Sequence, residues 1–219
     1  MFTLSIDYKP CVTSGALRIG VLGSGSGTNC QAILDACERG ELPADVVVVL
    51  SDVAEAGILE RARQRKIPTK FIGPSRFKTK LEPELEQQMV AELQAANVGL
   101  VALAGYMRVL KSPLLDAFAG RIMNVHPSLL PAFPGLRAWE QALAHGARLT
   151  GCTVHFVDAG VDAGPIILQQ PVPVFENDTA ERLHGRIQLA EHRLFPEAIR
   201  LFAAGKLRVS GRKVNILEP

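Results

Sequence analysis

The sequence predicts an α/β fold: a Rossmann-like, mostly parallel sheet with helices on both faces and an antiparallel C-terminal extension. From Leu17 onwards, short aliphatic runs alternate with longer segments of helical period. Several of these runs are almost wholly apolar, which is typical of parallel strands covered on both faces. After Asn124 a proline-rich loop, a helix and two further strands precede one long helix, and this order favours an antiparallel extension of the same sheet.

The first half contains the predicted parallel strands and the helices between them. The strands are expected at residues 17–22, 46–50, 69–72, 98–103 and 121–125. The first helix should begin with Thr28 as its cap and end at Gly40. Two more helices are expected at residues 54–65 and 80–96, where Pro83 is tolerable in the first turn.

The second half opens with a rigid loop at residues 124–135. Pro127, Pro131 and Pro134 exclude this segment from the interior of any helix or strand. A last helix is expected at residues 179–204, interrupted near Pro196. The elements expected between them are a helix at residues 137–147, a strand at 152–157, a loop at 158–164 and a strand at 166–174.

The composition is that of one globular, nearly neutral domain. The 219 residues include 24 Lys and Arg against 22 Asp and Glu, and 47% are hydrophobic. Nucleic-acid-binding proteins usually have a marked basic excess, so nucleic acid is not an expected partner. The longest apolar run, residues 98–107, contains two glycines and is too short to span a membrane. The four cysteines form no CxxC pair, which indicates reduced thiols in a cytoplasmic protein.

A glycine-rich segment, residues 23–29, lies between the first strand and the first helix. Its spacing fits neither a dinucleotide fingerprint nor a Walker loop. Backbone N–H groups and the helix dipole bind anions at such a position, so one interpretation is a phosphate site with donors at Thr28 and Asn29. The other is a strand-to-helix turn that uses glycine only for its backbone angles.

Three polar residues are expected to meet at the carboxyl edge of the sheet. Asn124 and His126 lie two positions apart at the end of a buried strand, and Asp162 lies in a turn after another strand. An amide, an imidazole and a carboxylate are the equipment for acyl-type transfer through a tetrahedral intermediate. Asn124 and His126 would donate to the oxyanion, while Asp162 orients His126 and favours its charged form.

The sequence indicates neither a metal site nor a serine nucleophile. His126, His155 and the cysteines lack ligand spacing, so no metal is expected. Ser128 lies close to His126, but the G-x-S-x-G elbow is absent, which disfavours a serine hydrolase.

Three motifs carry a resemblance to a known family. The run NVHPSLLPAFPGL at residues 124–136, with SGSGTN at 24–29 and DAGPII at 162–167, resembles the folate-dependent formyltransferases. The resemblance implies the formyltransferase fold in a single catalytic domain at residues 17–204. The residues outside it are expected to form an N-terminal lead (1–16) and a tail (205–219), in which residues 207–216 have the pattern of a short edge hairpin around Gly211. It also implies transfer of the formyl group of 10-formyltetrahydrofolate, a co-substrate, to the amine of glycinamide ribonucleotide in purine biosynthesis.

The resemblance implies three sets of site residues. The catalytic set is Asn124, His126 and Asp162. The ribonucleotide-binding set is Gly27, Thr28, Asn29, Gln188 and Glu191. The folate-binding set is Lys80, Met107, Arg108, Val109, Leu110, Asn124, Asp158 and Val161. Without the resemblance, Met107 to Leu110 would fit core packing and Glu191 a solvated helix face. Two positions depart from the family pattern: many relatives have histidine at Arg137 and arginine at Lys80, and lysine keeps the charge but loses the bidentate geometry.

Two other functions stay open beside formyl transfer to the ribonucleotide. One is hydrolysis of formyltetrahydrofolate; such relatives usually carry a preceding regulatory domain, for which residues 1–16 are too short. The other is a phosphometabolite sensor, which would need the glycine loop but not the catalytic set. Formylation of a methionyl-tRNA would need an RNA-binding extension, which we do not expect after Ala204. The expected partners are small-molecule substrates, not nucleic acid or membrane, and the expected assembly is a monomer or homodimer.

Overall fold

The computed structural model describes residues 5–7 and 15–218, which form one sheet flanked by helices. The strands are β1 (Ser5–Asp7), β2 (Leu17–Leu22), β3 (Ala44–Ser51), β4 (Thr69–Phe71), β5 (Leu100–Leu103), β6 (Ile122–His126), β7 (Leu149–Phe156), β8 (Ile166–Pro173), β9 (Leu207–Ser210) and β10 (Lys213–Ile216). The helices are α1 (Thr28–Glu38), α2 (Gly57–Gln64), α3 (Pro83–Ala95), α4 (Ser112–Ala117), α5 (Ala138–Ala144) and α6 (Ala180–Ala203).

The sheet changes from parallel to antiparallel at β6. Its strand order is β1-β9-β10-β8-β7-β6-β5-β2-β3-β4. All pairs from β4 to β6 are parallel, whereas β6 with β7 and β7 with β8 are antiparallel. The predicted mostly parallel sheet with an antiparallel C-terminal extension is therefore confirmed.

Helices cover both faces of the sheet because the buried strands present apolar side chains alternately to each side. In β2, Val21 packs on the face that holds α1, α2 and α6, and Leu22 packs on the face that holds α3 and α4. Phe195 of α6 and Leu114 of α4 are fully buried on these opposite faces. The core on both sides keeps the strand ends in register, and the candidate site lies at those ends.

Two details of the helix predictions are wrong. Gly27, with φ 77°, is the cap of α1, and Thr28 is the first helical residue, because the chain enters the helix through a left-handed turn. Helix α6 continues through Pro196, which is buried within it. The backbone bond that this proline forfeits is offset by the burial of its neighbours Phe195 and Ile199 against the sheet. In the described part of the chain, no helix combines the length and apolarity needed to cross a membrane.

The two ends of the chain meet at one edge of the sheet. Strands β9 and β10 pair as an antiparallel hairpin with Gly211 at its turn, at φ 59°. Strand β1 pairs antiparallel with β9, so the edge position belongs to Ser5–Asp7 rather than to the hairpin. Residues 1–4 and 8–14 of the predicted lead lie outside the described residues. The domain boundaries stay predictions.

Candidate active site

The carboxyl ends of the parallel strands meet at one edge of the sheet, as their common direction requires. The glycine-rich loop (residues 23–29) follows β2, and Met107 and Arg108 follow β5. His126 is the last residue of β6, and the loop after β7 brings Asp162 to within 3.4 Å of it. The fold therefore assembles at one place the segments that the sequence singles out separately.

A cavity of about 490 Å³ opens at this edge. The sequence-assigned residues that line it are Met107, Arg108, Val109, Leu110, Asn124, His126, Asp158, Val161 and Asp162. Lys80 does not line the cavity; its ammonium lies 4.6 Å from the centre of the Phe77 ring, and Thr79 lines the wall instead. Arg137, at φ 53°, also lines the cavity and caps α5 rather than beginning it.

Asn124 is held in one orientation by His155. These residues lie directly opposite each other on β6 and β7, with 3.2 Å between Asn124 Nδ2 and His155 Nε2. His155 Nδ1 donates to the Phe156 carbonyl at 2.8 Å, so its Nε2 accepts and Asn124 donates. Burial lowers the pKa of His155, which agrees with a neutral ring. The second N–H of Asn124 stays available to a ligand in the cavity.

His155 is a site residue to which the sequence analysis assigned no function. It is 2% exposed and also lies 3.9 Å from Asp162. A signal was present: a histidine two residues before Val157, inside an apolar strand, is as unusual there as His126 is on β6. The sequence could not place it opposite Asn124, because the pairing register of β6 and β7 arises only in the folded sheet.

His126 is 4% exposed, and both of its ring nitrogens face protein acceptors. Nε2 donates to the Phe133 carbonyl at 2.9 Å. Nδ1 faces the Asp162 carboxylate at 3.4 Å, slightly beyond the usual hydrogen-bond distance. The proline-rich loop, with Phe133 at φ 52°, folds back onto the ring that precedes it. Of the two ring nitrogens, Nδ1 is therefore the one that faces the Asp162 carboxylate.

Asp162 is fixed by its backbone and by a second hydrogen bond. It lies in the left-handed region at φ 49°, which aspartate tolerates better than most residues. Its Oδ2 accepts the Gly135 N–H at 2.8 Å, which ties the loop after β7 to the end of the proline-rich loop. The carboxylate therefore links both loops and stands between His126 and His155.

Buried hydroxyl and amide groups hold the proline-rich loop. Ser128 Oγ donates to the Ala132 carbonyl at 2.5 Å, and Thr153 Oγ1 donates to the Ser128 carbonyl at 2.7 Å. Gln169 donates to both the Leu130 carbonyl and Thr153 Oγ1 at 2.9 Å. Because the Ser128 hydroxyl is committed to a backbone carbonyl, this geometry supports a structural role for it rather than that of a nucleophile.

In the glycine-rich loop, one glycine is required by close packing and another lies on an open surface. At Gly27 a Cβ would lie 2.7 Å from the Ile58 backbone, so loop and α2 approach too closely for another residue. At exposed Gly25 a Cβ would meet nothing within 4 Å. The α1 N-terminus has neither a side-chain cap nor an acidic residue in its first turn. Its first N–H groups thus lack partners within the helix and can receive an anion.

Asn29 and Glu191 meet beneath this loop. Asn29 Nδ2 donates to Glu191 Oε2 at 2.9 Å, and the two residues are 9% and 4% exposed. Burial raises the pKa of the Glu191 carboxyl from 4.5 to about 7, against the opposing effect of the Asn29 bond. Glu191 therefore lies inside the protein on α6, not on a solvated helix face.

Glu191 makes the free energy of unfolding depend on pH. Below pH 4.5 the carboxyl is protonated in both states, and as the pH rises to about 7 it ionises first in the unfolded chain. The unsubstituted protein therefore loses stability over this interval, and the variant Glu191→Gln does not. Relative to the unsubstituted protein, we expect the free energy of unfolding of the variant to rise by roughly 3 kcal/mol between pH 4.5 and about 7. Urea unfolding of both proteins at several pH values measures the difference, in which the other carboxyls cancel. A pH-independent difference would contradict the assignment.

In the described residues, no group of three or more His, Cys, Asp and Glu side chains could hold a metal ion.

Comparison with known proteins identifies the family. A model of the family described as formyl transferase matches residues 17–199. The chain is 41% identical over 192 residues to the phosphoribosylglycinamide formyltransferase of Haemophilus influenzae, covering 88% of this chain and 90% of that protein. It is 42% identical over 192 residues to the human trifunctional purine biosynthetic protein adenosine-3, covering 88% of this chain but only 19% of that much longer protein.

A solved structure agrees with these relatives. The glycinamide ribonucleotide transformylase 1 of Symbiobacterium toebii superposes with a TM-score of 0.90 at 55% identity, covering 94% of this chain and 96% of that one. Both the sequence match and the shared fold extend across the segments that line the cavity. The chain therefore belongs to the formyl transferase family.

Proposed function

We propose that the protein transfers the formyl group of 10-formyltetrahydrofolate to the amine of glycinamide ribonucleotide in purine biosynthesis. The observation that carries this proposal is the meeting of Asn124, His126 and Asp162 at one end of a cavity in a member of the formyl transferase family. Relatives that align along most of their length and bear this activity in their names support it.

The site residues divide the reaction between them. The ribonucleotide amine attacks the formyl carbon, and the formyl oxygen becomes an oxyanion. Asn124 stabilises it with the N–H that His155 leaves free. His126 keeps its Nε2–H on the Phe133 carbonyl, but its Nδ1 lies 3.4 Å from Asp162, beyond a full hydrogen bond, so a protonated Nδ1 would be the second donor to the oxyanion. The bond from the formyl carbon to the folate nitrogen then breaks. Asp162, directly or through water, carries the proton from the attacking amine to that departing nitrogen.

The main cavity fits the folate co-substrate. Its volume of about 490 Å³ lies within the usual range of small-molecule sites. Val109, Leu110 and Val157 supply apolar walls for a flat heterocycle, and Asp158 and Asp162 supply acceptors for its amino and amide groups. The exposed Met107 and Val161 would be covered on binding, which accounts for large apolar side chains that are 55% and 58% exposed.

The ribonucleotide fits the segment beside this cavity. Its phosphate would accept hydrogen bonds at the α1 N-terminus from Gly27, Thr28 and Asn29. Glu191, bonded to Asn29, and Gln188, one turn before it on α6, would contact the sugar and glycinamide part. Of the two interpretations of the glycine loop, the uncapped N-terminus of α1 favours the phosphate site.

One assay tests the proposal against its alternatives. The protein is supplied with 10-formyltetrahydrofolate, with and without glycinamide ribonucleotide, and release of tetrahydrofolate is followed. We expect release only with the ribonucleotide, together with formylated product. Release without the amine would instead show hydrolysis, and no release in either tube would favour a phosphometabolite sensor.

The remaining expectations about partners and location stay part of this proposal. The partners are the two small molecules, and the assembly is a monomer or homodimer. A cytoplasmic location is supported by cysteine usage, since Cys30, Cys37 and Cys152 carry free thiols.

A further inference from the structure

Asp52 is a buried carboxylate between the two proposed substrate sites. It directly follows β3 at the carboxyl edge of the sheet, and its side chain is 3% exposed. Oδ1 accepts the Ser24 hydroxyl at 2.5 Å, and Oδ2 accepts Arg108 Nε at 2.5 Å. A carboxylate removed from water needs such partners. The two hydrogen bonds therefore fix Asp52, and they also fix the positions of the Ser24 and Arg108 side chains.

Ser24, which belongs to the glycine-rich loop, connects Asp52 to the cavity wall at Met107. Its hydroxyl donates to Asp52 and accepts the Met107 N–H at 2.9 Å. Its own backbone N–H donates to the Gly105 carbonyl at 3.0 Å. Ser24 lies at the start of the loop that ends at the N-terminus of α1, so its position bears on the proposed phosphate site.

Arg108 connects Asp52 to the segment that leads to the cavity-lining Thr79. Its Nε bonds to Asp52, and its Nη1 donates to the Phe77 carbonyl. Phe77 lies against Lys80 and is two residues before Thr79, which lines the cavity. Only 14% of the Arg108 side chain is exposed, and its guanidinium is hydrogen-bonded within the protein, to Asp52 and to Phe77. One carboxylate thus joins the glycine-rich loop, the segment after β5 and the segment at Phe77.

We propose that Asp52 is a positioning residue. It aligns the glycine-rich loop, the proposed phosphate site, with the cavity wall at Met107 and Arg108, the proposed folate site. The inference rests on the proposed function, which assigns the two substrates to these segments. Asp52 touches neither substrate and acts through Ser24 and Arg108. Without it, the loop and the wall lose their common hydrogen-bond acceptor, and the amine and formyl carbon are no longer held at reacting distance.

Bisubstrate kinetics of Asp52→Ala and Asp52→Asn test this role. We expect Asp52→Ala to raise KM for both substrates by about tenfold and to lower kcat, because misplacing reactants by even a small distance is costly. Asp52→Asn still accepts the Ser24 hydroxyl but loses the charge opposite Arg108. It should therefore restore KM for the ribonucleotide more than KM for the folate.

Asp178 provides a matched control. Its side chain is 4% exposed, pairs with Arg186 and accepts the Phe175 N–H at 2.8 Å, but it does not line the cavity. Asp178→Ala should lower the melting temperature while leaving both KM values within about twofold of the native ones, as expected for a change distant from the site. Asp52→Ala with native KM values, or Asp178→Ala with equally raised ones, overturns the positioning role alone. A native chain that transfers no formyl group overturns the proposed function and this inference with it.

Discussion

Replacing His126 with alanine or Asp162 with asparagine should each lower kcat by roughly 10²–10³-fold, the usual loss when one oxyanion stabiliser is removed. His126→Ala removes the ring that faces Asp162 at 3.4 Å. Asp162→Asn keeps the shape of the side chain but removes the charge that stands between His126 and His155. Steady-state rates with saturating 10-formyltetrahydrofolate and glycinamide ribonucleotide measure the effect.

The two changes should be far from additive. Residues that act as one unit lose most of their joint effect when either is removed, so the double variant should be little slower than the slower single one. Asp116→Asn is the control, because Asp116 is an exposed residue of α4 away from the cavity, and it should keep the native rate. Native turnover in both His126→Ala and Asp162→Asn would refute the catalytic assignment.

Gly164→Ala should destabilise the protein by about 3 kcal/mol or more, at the upper end of overpacking effects. A Cβ at this position would lie 1.8 Å from the Phe156 carbonyl oxygen. That contact is with backbone, so no side-chain rotation relieves it. The end of β7 or the loop that carries Asp162 must move, and turnover should fall together with the free energy of unfolding.

Gly185→Ala is the matched control for this prediction. Gly185 is exposed within α6, and a Cβ there would meet nothing within 4 Å. Alanine in a helix interior is favoured over glycine by roughly 0.5–1 kcal/mol, so this variant should be slightly more stable. Urea unfolding of both variants gives the comparison. Equal stability of the two would show that the close approach at Gly164 is not what requires glycine there.

Much of the fold followed from local pattern. The predicted ranges located β2 to β8 within a few residues. For β2 and β5 the reason is that strands buried on both faces have few polar side chains to interrupt the apolar run. Short α4 was missed, since a single turn or two carries too little periodicity to detect. The cap of α1 was predicted one position too late, at Thr28 instead of Gly27, because the left-handed turn by which the chain enters the helix leaves no local sequence pattern.

The sequence by itself determined which residues stand at the carboxyl edge, because strand direction places Asn124 and His126 there in any parallel sheet of this order. Only the tertiary structure decided what those residues touch. The register of β6 against β7 set His155 opposite Asn124, and the packing of β3 beside β2 put Asp52 against Ser24. Such partners are separated by tens of residues along the chain, and they meet through side-chain packing that no local pattern encodes.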